Sequence, residues 1–219
     1  MKMSFKTQLV IYCILAIVVF GTMFGLNHWA DSKGDEPADI EGPNWRIKKD
    51  YYYNDSFHFR IKKPSDDWQF QLDTAKMIGA SYFPSVYWRQ LYQPLIELQI
   101  PSDKGVRAAM TVGVFPDRGH SNSLDLAEET LSMFSEKYAA DSTFKILKAP
   151  TLSEKYQIKG AYFVVKMPDD ENEVQVIVIT RYKNYYYIMS GIADVTAYDF
   201  YHSDFVQMIE SFWFIFDEK

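Results

Sequence analysis

The chain has 219 residues, 47% of them hydrophobic and 17% aromatic, with one cysteine and a formal charge of −6. All 29 acidic residues but only 21 of the 23 basic ones lie from residue 31 onward, which sets that part at −8. That sign argues against nucleic acid and against docking on anionic lipid, since both need basic surface, and the lone Cys13 excludes an internal disulfide.

Residues 9–26, LVIYCILAIVVFGTMFGL, contain no charged side chain. As a helix this run is about 27 Å long, close to the hydrocarbon thickness of a bilayer, so a transmembrane helix is expected. Lys2 and Lys6 precede it, and Asp31, Asp35 and Glu36 follow it. The N-terminus is therefore expected in the cytoplasm, with the main domain periplasmic or otherwise extracytoplasmic at the inner (plasma) membrane. A cleaved signal peptide is the competing reading. Its apolar core is usually about 7–15 residues, and His28 stands where cleavage after Ala30 wants a small side chain. Gly21 and Gly25 form a GxxxG on one face, which lets a neighbouring helix approach closely in lipid.

Residues 1–30 thus read as a short stub plus anchor. Residues 31–50, DSKGDEPADIEGPNWRIKKD, read as a charged linker in which Ile40, Trp45 and Ile47 are candidates to dock. Residues 51–219 read as one extramembrane domain with a full core. Within it, Phe57, Phe59 and Ile61 alternate with polar residues as a half-buried strand, and Trp68, Phe70 and Leu72 resume that period of two. Residues 77–94, with scattered aromatics and two prolines, read as a long loop or short helix. Strands at 95–100 and 107–115 are joined through PSDKG (101–105) as a hairpin. Ser121, Asn122 and Ser123 offer N-caps to a helix through about residue 138, with Leu124, Ala127, Leu131 and Phe134 on one face. Strands follow at 144–149, 152–158, 161–167, 173–182 and 185–192, the last two joined by the two-residue turn Lys183–Asn184. A final helix over 198–211 turns Phe205, Met208, Ile209 and Phe212 inward. In each tyrosine triplet, 51–53 and 185–187, at least one ring is expected to pack inside. The fold class is α+β, an antiparallel sheet flanked by helices in an α/β/α sandwich, plus the N-terminal transmembrane helix.

Three motifs in this order resemble the PsbP-like (DcrB-like) superfamily: FHFRIKKP (57–64) followed by Trp68, the helix LDLAEETLSMF (124–134), and YYYIMSGIA (185–193) leading to Phe205 and Ile209-Glu210-Ser211-Phe212. The similarity spans about residues 50–216. It implies a sheet between helices and a non-catalytic binding module, and it carries over no site residue.

Catalytic and metal chemistry find little in the chain. There is no nucleophile elbow, phosphate loop, HExxH or paired-cysteine motif, so no enzyme activity and no cofactor are expected. Asp194, Asp199, His202 and Asp204 form the best cluster of metal-ligating types, and Asp117 with His120 a lesser pair. Acidic residues at a helix start serve equally well as caps, so no metal is assigned. Partner-binding residues are expected at Gly21 and Gly25 in the anchor, and at Tyr82, Phe83, Tyr87, Trp88 and Tyr92 in the aromatic insertion. The expected function is a non-catalytic accessory or scaffold subunit of a larger membrane complex, its partners the bilayer and other subunits. A stand-alone envelope protein binding a small molecule, lipid or protein is the alternative.

Overall fold

The computed structural model describes residues 40–78, 85–102, 105–153, 159–169 and 171–215. Among these residues no helix is long and apolar enough to cross a membrane, and the apolar run 9–26 lies outside them. Short strands come first: β1 (Ile40–Gly42), β2 (Trp45–Lys48), β3 (Tyr51–Asn54), β4 (Phe59–Lys62) and β5 (Gln69–Gln71). Then follow α1 (Val86–Leu91), the long hairpin β6 (Gln93–Ser102) and β7 (Gly105–Pro116), and α2 (Ser123–Lys137). The chain continues through β8 (Lys145–Ser153), β9 (Gly160–Lys166), β10 (Glu173–Tyr182), β11 (Tyr185–Asp194), α3 (Tyr198–Ser211) and β12 (Trp213–Phe214).

These strands make two antiparallel sheets rather than the single one expected. One has the order β1-β2-β3-β4-β12, the other β5-β6-β7-β11-β10-β9-β8. The larger sheet is buried on both faces, which is why β10 reads as an almost unbroken apolar run. On one face Met110, Val112, Val176 and Met189 meet α3 and the inner side of the smaller sheet, where Tyr52, Phe59 and Ile61 are buried. On the other, Phe163, Val165, Ile177 and Ile188 lie under Leu126, Ala127 and Phe134 of α2. Each large apolar side chain moved out of water in these layers contributes on the order of 1.5–3 kcal/mol.

Local chemistry explains the element ends. The Asn122 side chain accepts from the Leu124 and Asp125 amides at 2.7 and 3.2 Å, satisfying two donors at the start of α2. The β10–β11 register pairs Tyr182 with Tyr185, leaving Lys183 at φ 54° in a two-residue turn. Gly191 keeps α3 close: a Cβ there would stand 2.7 Å from Val176 Cγ1 and 3.2 Å from Phe205 Cδ1.

Several expectations are corrected. Regular structure is already present at residues 40–48, inside the expected linker, because β2 pairs with β3, and Trp45 and Ile47, two of its docking candidates, do pack against the core. Phe57 sits in the turn before β4, not in the strand, since His58 adopts φ 51°. The two strands expected across 144–158 are one edge strand through Ser153, β8, with two register shifts that accommodate Pro150. Residues 154–158 lie outside the described residues. The tyrosine triplets do turn inward: Tyr52, Tyr186 and Tyr187 are buried.

A row of polar side chains also crosses the α2-facing side of the large sheet. Thr111 Oγ1 donates to Glu97 Oε2 at 2.6 Å, and Gln175 Nε2 donates to Ser190 Oγ at 2.8 Å, all four residues being buried. The Ile78 amide donates to Glu97 Oε1 at 3.2 Å, which ties the chain after β5 to the sheet.

Candidate functional site

A broad, open concavity forms where α3 begins. After β11 the chain turns at Asp194, whose carboxylate accepts from the Thr196 hydroxyl and amide at 2.5 and 2.8 Å and from Asn172 at 2.8 Å. These donors, Thr196 foremost, hold the Asp194 carboxyl below the usual carboxylate range. The turn launches α3 so that Tyr201 points inward while Phe200 stands 76% exposed, edge-on to Tyr201 at 4.9 Å.

Beside Phe200 lies an open groove of about 870 Å³, walled by Asp66 and Asp67 ahead of β5, Ser102 and Arg107 at the end of the β6–β7 hairpin, and Tyr201 and Asp204 of α3. A neighbouring hollow of about 650 Å³ shares Arg107 and Phe200. The indole N–H of buried Trp68 donates to Asp204 at 2.8 Å, and Asp66 pairs with Lys63 at 3.0 Å. The Asp204 carboxylate therefore serves the scaffold, while Asp66 is neutralised at the surface by Lys63. Among the described residues Asp67 and Arg107 have no ion-pair partner, so the groove offers one charge of each sign beside an exposed ring. None of its described lining residues is a histidine or cysteine.

The residues singled out from the sequence do not converge here. Trp88 and Tyr92 are corrected from surface anchors to core. Trp88 stacks on Phe115 at 4.4 Å, and Tyr92 fills the space that a Cβ at Gly113 would occupy. Burial, helped by the Glu97 carboxylate, pushes the Tyr92 phenol far upward. Gly21, Gly25, Tyr82, Phe83 and the side chain of Tyr87 lie outside the described residues. The acidic cluster at α3 disperses: Asp194 bonds Thr196, Asp204 bonds Trp68, and the His202 ring meets Tyr198 at 5.7 Å. Among the described residues no three His, Cys, Asp or Glu side chains gather to hold a metal ion. Asp117 turns to Arg181, while His120 Nε2 lies 2.6 Å from Glu129.

The sequence reading missed Phe200, although its position carries a signal. The apolar stripe of α3 runs through Tyr201, Phe205, Met208 and Ile209, and Phe200 falls well off that stripe, as a buried ring would not. Arg107 gave no such signal, because the hairpin it belongs to does not show which other elements come to lie beside its tip.

No family model matches this chain, and no curated protein matches it. Among solved structures it is similar to the solution structure of cyanobacterial PsbP (CyanoP) from Synechocystis, with TM-score 0.47 and 8% identity, covering 75% of this chain and 91% of that one. It is also similar to a crystal structure from Bacteroides thetaiotaomicron, with TM-score 0.42 and 12% identity, covering 74% of this chain and 47% of that one.

Proposed function

We propose that this protein is a non-catalytic accessory subunit of a membrane protein complex. Residues 9–26 hold it in the bilayer, and a PsbP-like domain on the extracytoplasmic side grips a partner subunit. The observation that carries the binding part is Phe200: an aromatic ring left in water beside an open groove, next to the uncommitted charges of Asp67 and Arg107. Exposed aromatics flanked by charge are the usual anchors of protein interfaces. The anchor part rests on the uncharged 18-residue run and the basic residues before it.

Gentle detergent extraction followed by native sizing tests the reading. The wild-type chain should migrate within a larger assembly, and Phe200→Asp should shift it toward the free form while leaving its far-UV circular dichroism unchanged. Migration of the wild-type chain as a free monomer or homodimer overturns the proposal and favours a stand-alone envelope binding protein.

A further inference from the structure

The outward face of the five-stranded sheet collects cations and aromatic rings. The β2–β3–β4–β12 register places Lys48, Tyr51 and Lys62 in one cross-strand row, and Arg46, Tyr53, Arg60 and Trp213 in the next. Their neighbours in sequence, Tyr52, Phe59 and Ile61, alternate into the core. The Arg46 guanidinium lies 4.9 Å from the Tyr53 ring centroid, and the Arg60 guanidinium and Lys62 ammonium lie 5.5 and 5.7 Å from that of Tyr51. Trp213 is 39% exposed. Arg46 pairs with Asp55 at 2.6 Å, while Lys48, Arg60 and Lys62 have no ion pair among the described residues. Buried Arg60 Nε has no hydrogen-bond partner among them either.

The charge of −8 from residue 31 onward is therefore unevenly spread, with a cationic face on this sheet. We propose that this face docks on the anionic phospholipid headgroups of the membrane that holds residues 9–26. Arg46, shared with Asp55, and the unpaired Lys48, Arg60 and Lys62 match a layer of phosphates, each free cation contributing about a fivefold gain in partition near an anionic surface. Tyrosine and tryptophan, with an apolar body and a polar tip, are the residues that settle at the headgroup level. The chain from Leu26 to Ile40, where β1 of this sheet begins, spans at most about 50 Å, so an anchored chain keeps this sheet within reach of the bilayer. That last point rests on the anchor proposed above.

The test uses the full chain reconstituted into phosphatidylcholine vesicles with or without about 30% phosphatidylglycerol. Amine acetylation is read by mass spectrometry at Lys48 and Lys62, with Lys145 on β8 as the reference. On anionic vesicles, Lys48 and Lys62 should label about fivefold less. About 0.5 M salt should restore their labelling, Lys145 should not change, and the double variant Arg46→Glu, Arg60→Glu should lose the difference. Should that variant fail to fold, the wild-type salt dependence still decides. Equal labelling in both lipids overturns the proposal. So does protection that is already complete in neutral vesicles, which would assign the cover to another part of the chain. An acidic protein cross-linked to this face in native membranes would likewise replace the lipid. Flotation with both vesicle types reports the anchor separately, so either proposal can fail alone.

Discussion

Trp68 offers the sharpest energetic test of how the groove is built. Its ring is 1% exposed, sits edge-on to Tyr201 and Phe205 at 6.1 and 6.0 Å, and its N–H donates to the Asp204 carboxylate at 2.8 Å. The bond pins α3 to the chain ahead of β5, across the groove. Trp68→Phe removes the donor and leaves a void. A hydrogen bond to a charged group is worth about 1.5–3 kcal/mol, and half-exposed Asp204 places it at the lower end because water can replace part of it. The lost volume, on the order of 40 Å³ at about 24 cal/mol per Å³, adds about 1 kcal/mol. The expected loss is about 2.5–3 kcal/mol, or a Tm lower by about 5–12 °C for a domain of this size. Urea unfolding followed by far-UV circular dichroism on Trp68→Phe, Asp204→Ala and the double variant measures it. The cycle should return a coupling of about 1.5 kcal/mol. A coupling below about 0.5 kcal/mol would refute the pin.

Gly113→Ala should cost about 1–3 kcal/mol, because the new Cβ collides with the Tyr92 ring; an unchanged urea midpoint would contradict the buried placement of Tyr92. Burial pushes the Tyr52 phenol up to about 12, against a hydrogen bond from Asn54, and raises those of Tyr92 and Tyr187 as well. A raised pKa in the folded state stabilises fully below the unfolded value near 10 and is lost above it. Stability should therefore hold through neutral pH and fall between about pH 10 and 12, by up to about 1.4 kcal/mol per pH unit for each such tyrosine. Phenolate absorbance followed beside circular dichroism checks this; full titration near pH 10 with the fold intact would contradict it. The outer edge strand β8 exposes Ile146, Leu147 and Leu152 beside Lys145, Lys148, Pro150 and two register shifts, features that disfavour pairing with a further strand. Replacing Lys148 and Pro150 together with Val should promote self-association on native sizing, and an unchanged profile would show that other features guard the edge.

The long, strongly patterned elements were legible in the sequence. The 198–211 helix, the turn at Lys183–Asn184 and the start of α2 at Asn122 all follow from apolar spacing and local capping chemistry. The second sheet was not, because its strands are two to four residues long and nothing in their alternation says that they pair with one another apart from the larger sheet. Pro150 made β8 read as two strands, since only the edge position excuses a missing amide. Trp88 and Tyr92 misled because aromatic composition does not say which side of a sheet needs covering. The cation–aromatic face shows the same limit. Arg46, Lys48, Tyr51, Tyr53, Arg60 and Lys62 alternate plainly in the chain, yet they join into one surface only once β2, β3 and β4 are known to pair.

The proposed anchor is tested most directly by a mass measurement on the chain recovered from carbonate-washed membranes. The chain should stay in the pellet, with a mass that includes residues 1–30. A chain released into the wash, or one whose mass begins after Ala30, would contradict it.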